Sequence, residues 1–304
     1  MIVLLLLTQN ERELLRANVE HHLSWGIDHV CVADNNSTDG TPEMLREFGD
    51  AVSTTRFTDF MKRQDVRVQM LDDVRRQHGE VDWVGVSDSD EFWWAPGTNM
   101  RDVLADVPAD KIGVNFEQKL YLPTALDASD GPVHVSRIYR SSGNDSPLHT
   151  SYFQGKSWYR GSWVRELSHE HWCREVGHPR WGPPEPMVHH YMIQDEDQFV
   201  QKVTRLRSWQ SIRRQRIERA LDVFRRVGGR PSPPPVERSF KADWWMVYQR
   251  GGIDGLRDYY RNTYTVAADA VAAHIAAGDL VEDPGFADVA ASALGLPPRL
   301  RLRL

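Results

Sequence analysis

The fold is decided by one stretch of sequence, Val84-Gly85-Val86-Ser87-Asp88-Ser89-Asp90-Glu91-Phe92. Its apolar start predicts a buried strand that reaches the rim of a sheet, and side chains two apart on a strand point the same way. Asp88 and Asp90 should therefore face one partner together. Two adjacent carboxylates repel unless a positive charge lies between them, and a hard divalent cation meets that need. A solvated acidic turn is the alternative, and the pattern alone favours neither.

Composition limits the class of protein. The chain has 304 residues, enough for one full-sized core and an appendage. Its 37 Lys and Arg against 43 Asp and Glu give a net charge of −6, which argues against a general nucleic-acid binder. Cys31 and Cys173 form no CxxC pair, so neither a disulfide framework nor a structural zinc site is indicated. Residues 2–7 are too short an apolar run to span a bilayer and lack the basic flank of a signal peptide. We expect a cytoplasmic protein without a transmembrane segment.

Strands and helices alternate over the first ninety residues. The uninterrupted apolar run at residues 1–7 predicts a central strand covered on both faces. Asn10 and Glu13 have the spacing of a capping box, and Thr41 and Thr98 are predicted as N-caps of later helices. The right-handed crossover rule then makes the sheet parallel and Rossmann-like. Further strands are predicted at residues 29–33, 51–57, 81–87 and 112–116.

Three polar segments follow the first, second and fourth of these strands, at residues 8–11, 34–39 and 88–90. In a parallel sheet, ligands bind outside the carboxyl ends of the strands, so the three segments should share one crevice. The chain contains neither GxGxxG nor GxxxxGK[ST], so no dinucleotide fingerprint or P-loop explains that crevice. A nucleotide held mainly by carboxylates and a metal fits better.

These segments, in this order and spacing, resemble glycosyltransferases of family 2, especially the branch with the motif Asp-Xaa-Asp-Glu-Phe. The resemblance covers the chain up to about residue 95. It implies an α/β fold of the GT-A type, with a Rossmann-like, mostly parallel sheet and flanking helices, to which we add a C-terminal helical appendage. The expected division is a GT-A domain at 1–200, with a nucleotide-binding half at 1–95 and an acceptor half at 96–200, and a C-terminal helical region at 201–304.

The resemblance also implies the residues of the site. The first loop resembles a donor-phosphate and base pocket, and Asp34 resembles the acid that binds uracil. Asp88 is implied to contact the ribose and the metal-bound phosphate, whereas Asp90 ligates the metal directly. The implied cofactors are Mn²⁺ or Mg²⁺, with a nucleotide sugar, a UDP-sugar above others, as co-substrate. The nucleotide positions are Thr8, Asn10, Glu11, Asp34, Arg63, Asp88 and Lys156, and the metal positions are Asp88, Asp90 and His190.

Several of these positions have a second interpretation. Lys156 resembles a lysine that holds a donor phosphate as a point charge. Arg63 either reaches the nucleotide or lies in a solvated first helical turn. His190 is either a third metal ligand or a rim histidine bonded to a carboxylate. It lies in a segment that resembles the branch's His-Tyr segment, with Phe199 and Lys202 as the partners. The His-Glu-His run at 169–171 binds a metal by itself only if it lies on a strand.

The reaction implied is metal-dependent transfer of a hexose or N-acetylhexosamine to an acceptor hydroxyl, with inversion. The metal and Lys156 would neutralise charge on the leaving diphosphate. A general base must stand on the opposite face, and without a clear motif Glu166, Glu170 and Asp145 are all candidates, with Glu170 narrowly favoured between its two histidines. The acceptor is a carbohydrate, a lipid-linked molecule or a small molecule.

Two other functions are consistent with the residues. A phosphate-ester hydrolase would use Asp88 as nucleophile and Asp90 as acid. Against it, the motif follows the fourth strand instead of the first, and Phe92 stands where that chemistry expects a small hydroxyl residue. The second is a non-catalytic protein that binds nucleotides or carbohydrates and has lost the base.

The second half of the chain carries weaker signals. Residues 123–190 read as functional loops and hold Trp158, Trp163, Trp172 and Trp181, which form either a sugar-stacking platform or part of the core. Residues 202–238 are basic and amphipathic, which indicates peripheral contact with anionic lipid, contact with a pyrophosphate-bearing acceptor, or a solvated face. Residues 243–295 predict helices broken at Gly251-Gly252 and Gly278, with a homodimer contact as one role.

Overall fold

Eleven strands and nine α-helices are found in the computed structural model, which describes residues 1–57, 63–127, 132–143, 148, 155–164, 187–204 and 240–296. The strands are β1 (Ile2–Thr8), β2 (His29–Asp34), β3 (Val52–Arg56), β4 (Trp83–Asp88), β5 (Glu91–Trp94), β6 (Gly113–Phe116), β7 (Gln118–Leu120), β8 (Tyr139–Ser141), β9 (Lys156–Arg160), β10 (Met187–His190) and β11 (Leu280–Glu282). The helices are α1 (Arg12–Ser24), α2 (Thr41–Arg46), α3 (Arg63–His78), α4 (Met100–Ala105), α5 (Val133–Ser136), α6 (196–204), α7 (Phe240–Tyr259), α8 (Ala268–Ala277) and α9 (Gly285–Ala293).

The central sheet has six strands in the order β3-β2-β1-β4-β9-β6. The pairs β2-β3, β1-β2 and β1-β4 are parallel, whereas β9 runs antiparallel to β4 and to β6. Helices flank the sheet and follow its parallel strands. The predicted α/β class, with a mostly parallel central sheet and flanking helices, is confirmed.

Side chains of β1 alternate between two hydrophobic cores, one on each face of the sheet. Leu4 and Leu6 pack with Leu15 of α1 on the first face. Leu5 packs with Val66 of α3 on the opposite face. Because both faces are covered, β1 has no solvent-facing position, which is why its sequence is apolar throughout.

A smaller sheet of order β5-β10-β7 lies beyond the end of β4. Strand β5 begins one turn after β4 and pairs antiparallel with β10, which places Glu91 opposite His190. Strand β10 is parallel to β7, so His190 also lies beside Leu120. A third sheet pairs β8 with β11, so the chain's C-terminal part joins this end of the molecule.

The outer face of this small sheet is covered by a buried cluster of aromatic and histidine rings around Phe92 and Phe286. His134 stacks on Phe92 with ring centroids 4.9 Å apart, and His21 and His189 contact Phe286 at 5.0 and 5.1 Å. Burial lowers the pKa of His21 and of His134 to about 4 and that of His189 to about 3. These imidazoles are therefore neutral at pH 7 and act as core residues.

The C-terminal helices share a hydrophobic core with the preceding elements. Trp244 of α7, Val271 of α8 and Phe199 of α6 belong to one buried cluster. The predicted breaks are confirmed, because α7 is interrupted at Gly252 and α8 ends at Gly278, both with positive φ. The domain boundary at residue 200 stays a prediction. Within the described residues, no helix combines the length and the apolar character needed to cross a bilayer.

The predicted starts of three helices are wrong. Asn10 has a left-handed φ of 54°, and the N-cap position of α1 is Glu11, so there is no capping box. Thr41 is the first residue of α2 and not its N-cap. Helix α4 is capped by Asn99, whose side chain accepts a hydrogen bond from the backbone of its third residue, and not by Thr98. Asn10 and Thr41 instead hydrogen-bond to the loop after β2.

Gly85, in the middle of β4, should not tolerate a side chain. A Cβ atom there would lie 2.5 Å from Cε2 of the buried Trp158 ring, well inside van der Waals contact. We expect Gly85→Ala to lower the free energy of unfolding by about 1–3 kcal/mol, measured by urea denaturation. Gly251→Ala is the control, because a Cβ there meets no atom within 4 Å. Equal stability of the two variants would contradict this packing.

Acid should destabilise the protein through its buried neutral histidines. In the unfolded chain they take up protons below about pH 6.5, whereas the folded pKa values of His21 and His134 are about 4. The unfolded state therefore binds more protons between these values, and stability falls as the pH drops through that window. By pH 5 the cost is on the order of 1–2 kcal/mol per histidine. Urea denaturation of His134→Phe should show a smaller loss between pH 7 and pH 5 than the wild type; an equal loss would contradict the assignment.

Candidate functional site

Three strands of the central sheet end side by side, and each ends in a polar residue. Thr8 of β1 lies opposite Asp34 of β2, and Asp88 of β4 lies opposite Leu7. The structure thus brings Thr8, Asp34 and Asp88 to one edge of the sheet, the edge at which ligands of parallel sheets bind.

The loops after β1 and β2 are joined by hydrogen bonds. Asp34 is buried and accepts from the backbone N–H of Ser37 at 3.2 and 3.3 Å. Ser37 Oγ in turn accepts from the Asn10 N–H at 2.8 Å, and Asn10 Oδ1 accepts from the Thr38 N–H at 2.7 Å. Asn10 therefore holds the loop in place. Thr8 Oγ1 is buried and has no hydrogen-bond partner within the described residues.

Glu91 is the most heavily bonded carboxylate of the turn after β4. Its Oε2 accepts from Ser87 Oγ and the Asp88 N–H, both at 3.0 Å, and lies 2.9 Å from Lys156 Nζ. Its Oε1 accepts from Gln118 Nε2 at 2.7 Å. Burial raises the pKa of Glu91, although Lys156 opposes the rise. Glu91 therefore organises the turn from inside, a role that the sequence did not indicate.

Helix α1 holds the same turn from the other side. Asn18 Nδ2 donates to the backbone oxygens of Ser89 at 3.1 Å and Glu91 at 2.7 Å. His22 Nδ1 lies 2.9 Å from Asn18 Oδ1, and its Nε2 accepts from the Trp93 N–H at 3.2 Å. Sequence reasoning missed this support. Its signal is the pair of polar residues four apart on the otherwise apolar face of α1.

Lys156 projects from the first position of β9 into the site. Its Nζ lies 3.5 Å from Asp88 Oδ2, in addition to the contact with Glu91. Gly155 makes this start possible, because its φ is 75° and a Cβ there would lie 2.4 Å from the Phe116 carbonyl oxygen. The Asp88 side chain is 37% exposed, whereas that of Lys156 is 3% exposed. Asp88 is thus the carboxylate of the turn that faces the crevice.

Asp90 is buried between two nitrogen groups. Its Oδ2 lies 2.7 Å from Lys202 Nζ, and its Oδ1 lies 3.5 Å from His190 Nε2. Burial alone would raise the pKa of Asp90, but Lys202 and His190 hold it well below its usual range. Asp90 Oδ1 is buried and has no hydrogen-bond partner within the described residues. Gln118 Nε2 lies 3.0 Å from His190 Nδ1 and so links this histidine to Glu91.

Glu11 adds a fourth carboxylate beside Asp90. Its Oε2 accepts from Ser89 Oγ, and its Oε1 accepts from Gln198 Nε2 at 3.3 Å. Burial raises the pKa of Glu11 in spite of Lys202 nearby, and Asp90 adds to the rise. The site therefore contains four carboxylates and two lysines, and buried negative charge is in excess.

Several of the predicted residues have side chains outside the described part of the chain. Arg63 begins α3, and its side chain lies outside the described residues, as do Asp145, Glu166, Glu170, His169 and His171. Trp158 is fully buried in the core, which excludes it from a sugar platform, whereas Trp163 is 58% exposed. Trp172 and Trp181 lie outside the described residues. In the described ranges, no three His, Cys, Asp or Glu side chains are grouped so as to hold a metal ion.

Comparison with known proteins finds similarity only at the level of structure. No family model and no curated protein sequence matches the chain. Mannosyltransferase PcManGT from Pyrobaculum calidifontis, solved with GDP-Man and Mn²⁺, aligns over 97% of this chain and 78% of its own, at 16% identity and a TM-score of 0.37. S. aureus TarS aligns over 66% of this chain and 38% of its own, at 11% identity and a TM-score of 0.39. TarS 1–349 with UDP aligns over 86% and 73%, at 12% identity and 0.38. Scores in this range do not identify a fold, so the side chains themselves carry the functional assignment.

The pair Glu91–Lys156 should be strongly coupled, because both side chains are buried and 2.9 Å apart. Glu91→Gln and Lys156→Met should each lower the free energy of unfolding by about 3–5 kcal/mol, because each leaves an uncompensated buried charge. The double variant should lose much less than the sum, which urea denaturation in a double-mutant cycle measures. The exposed pair Asp110–Lys111 is the control, and its cycle should show no coupling. Additive losses at Glu91 and Lys156 would contradict the pairing.

Proposed function

We propose that this chain is a glycosyltransferase of the GT-A type, in the Asp-Xaa-Asp-Glu-Phe branch of family 2, that uses a UDP-sugar and a divalent cation. One observation carries the proposal. Asp88, Asp90, Lys156, Lys202 and His190 meet at the carboxyl end of β4, beside the Asp34 loop. Carboxylates that bind a cation, next to lysines that bind phosphate, suit a nucleoside diphosphate.

The nucleoside would lie along the edge formed by β2, β1 and β4. Asp34 retains lone pairs beyond those that Ser37 uses, so it is able to accept from the N3–H of uracil. Thr8, whose buried hydroxyl lacks a hydrogen-bond partner among the described residues, would contribute to the same pocket. Asp88, the exposed carboxylate, would bind the ribose. Lys156 would then point its ammonium at the diphosphate.

Asp90 and His190 have the spacing to hold the cation, and His190 would bind it through Nε2 in the tautomer that carries the proton on Nδ1. The 3.5 Å between Asp90 Oδ1 and His190 Nε2 is short enough for both atoms to contact one ion at about 2.1 Å each. The lack of a hydrogen-bond partner for this oxygen in the described residues supports the fit. Mg²⁺ and similar ions need only one or two protein ligands when substrate phosphates complete the shell, so a third protein ligand is not required. When bound, the cation neutralises charge on the leaving diphosphate.

The transfer step needs residues beyond this cluster. We propose inversion of the anomeric carbon, with Glu170 as the base that removes the proton of the acceptor hydroxyl and Glu166 or Asp145 as the alternatives. The sugar is a hexose or an N-acetylhexosamine. The acceptor is a carbohydrate, a lipid-linked molecule or a small molecule. Trp163 is exposed but follows Arg160, which pairs with Trp83 at the start of β4, so it lies at the opposite edge of the sheet from Asp88.

Asp90→Asn should abolish metal-dependent nucleotide binding without unfolding the protein. UDP with Mn²⁺ at 100 times its Kd should stabilise the wild type by about 2.7 kcal/mol, seen as a rise in Tm by thermal shift. Asp90→Asn should show no rise, because the neutral amide leaves the cation without its carboxylate. Asp110→Asn, in an exposed turn, is the control and should respond as the wild type does. An equal rise in Asp90→Asn would contradict the metal assignment.

Two further measurements separate the alternatives. A larger rise in Tm with GDP than with UDP, both with Mn²⁺, would overturn the uridine assignment while keeping the site. Release of phosphate from a simple aryl phosphate would favour the hydrolase.

A further inference from the structure

Lys202 contacts the same carboxylate that would hold the proposed cation. Its Nζ contacts Asp90 Oδ2 at 2.7 Å and also donates to the Met192 carbonyl oxygen. The Asp90 side chain is 7% exposed and that of Lys202 25% exposed, so the pair is largely withdrawn from water. His190 approaches the other oxygen of the same carboxylate. One carboxylate therefore faces an ammonium and the proposed metal position at once.

An ammonium and a divalent cation compete for such a carboxylate. Each is able to compensate the buried negative charge of Asp90, which would otherwise be costly. Held together in a poorly solvated site, the two positive groups repel each other. Loading the cation therefore favours departure of the Lys202 ammonium.

We propose that Lys202 is a tethered counter-ion, which holds Asp90 until the divalent cation arrives and is then released towards the donor diphosphate. The inference rests on the proposed function. Glu11 also interacts electrostatically with Lys202, so the released ammonium keeps a carboxylate partner. The exchange keeps Asp90 paired with a positive group in both states and frees an ammonium for phosphate only when the cation is present.

Binding of Mn²⁺ alone tests the competition without any sugar transfer. Lys202→Met should bind Mn²⁺ at least about tenfold more tightly than the wild type, measured by the free-ion signal in electron paramagnetic resonance. Lys202→Arg keeps the positive charge and should bind Mn²⁺ as the wild type does. Lys111→Met removes a lysine from an exposed pair and should also match the wild type. Adding Asp90→Asn to the Lys202→Met variant should abolish the gain in Mn²⁺ affinity.

Reactivity of Lys202 in the wild type gives a second readout that does not depend on a variant folding. Acetylation by an activated ester, located by mass spectrometry, should be faster at Lys202 with saturating Mn²⁺ than without it. Addition of UDP with Mn²⁺ should slow it again, because the diphosphate then takes the ammonium. Lys119, paired with Asp283 at 3.0 Å, is the internal reference and should not change.

The outcomes separate this inference from the proposed function. If UDP with Mn²⁺ stabilises the wild type but Lys202→Met binds Mn²⁺ no more tightly than the wild type, the counter-ion role is wrong and the transferase site stands. Unchanged labelling of Lys202 under saturating Mn²⁺ would also overturn the counter-ion role and leave the transferase site in place. If neither the wild type nor Lys202→Met binds Mn²⁺ or UDP, the proposed function itself is wrong.

Discussion

Three carboxylates in four consecutive residues, Asp88 to Glu91, impose the main physical constraint on this molecule. A buried carboxylate is tolerated only when donors or cations meet its oxygens. The donors to these carboxylates come from three elements that are far apart in the chain: Gln118 of β7, Lys156 of β9 and Lys202 of α6. Asn18 of α1 donates to the backbone oxygens of the same turn. These elements have to converge on the end of β4, because otherwise the turn would be left with uncompensated charge.

The same turn divides its carboxylates by exposure. Glu91 is 2% exposed and fully committed to Ser87, Lys156 and Gln118, so it has no capacity left for a ligand. Asp88 is 37% exposed and lies 3.5 Å from Lys156 across the site, so within the described residues its oxygens face the crevice. Asp90 lies between these extremes, since one oxygen is held by Lys202 and the other has no hydrogen bond in the described residues. Strand geometry alone, which places Asp88 and Asp90 on one side, does not distinguish these roles.

Local sequence signals predicted β1, β2, β3, β4 and β6 and the edge at which the site lies, because both depend on neighbours in the chain. Strand β9 lies within residues 123–190, for which the sequence predicted loops. The apolar run of β1 and the polar residues that end β2 and β4 are enough to bring Thr8, Asp34 and Asp88 together. Helix starts were predicted less well, since Asn10 is bonded to a loop 28 residues away instead of its own helix. Gln118 and Asn18 carry no motif. Lys202 stands 112 residues from Asp90, so only the packing of α6 shows the contact.

The position of α6 depends in turn on the C-terminal helices, for which the sequence indicates no chemistry. Arg257 and Arg261 of that region bond to Glu196 at the start of α6, but these pairs are largely exposed, and each is worth less than about 1 kcal/mol. Phe199 is fully buried against Trp244 with ring centroids 5.0 Å apart, and burial of such a ring is worth about 2–3 kcal/mol. Hydrophobic packing therefore fixes α6, and three residues later in the same helix Lys202 reaches Asp90. The C-terminal helices thus act on the site through Lys202, the cation that interacts with both Asp90 and Glu11.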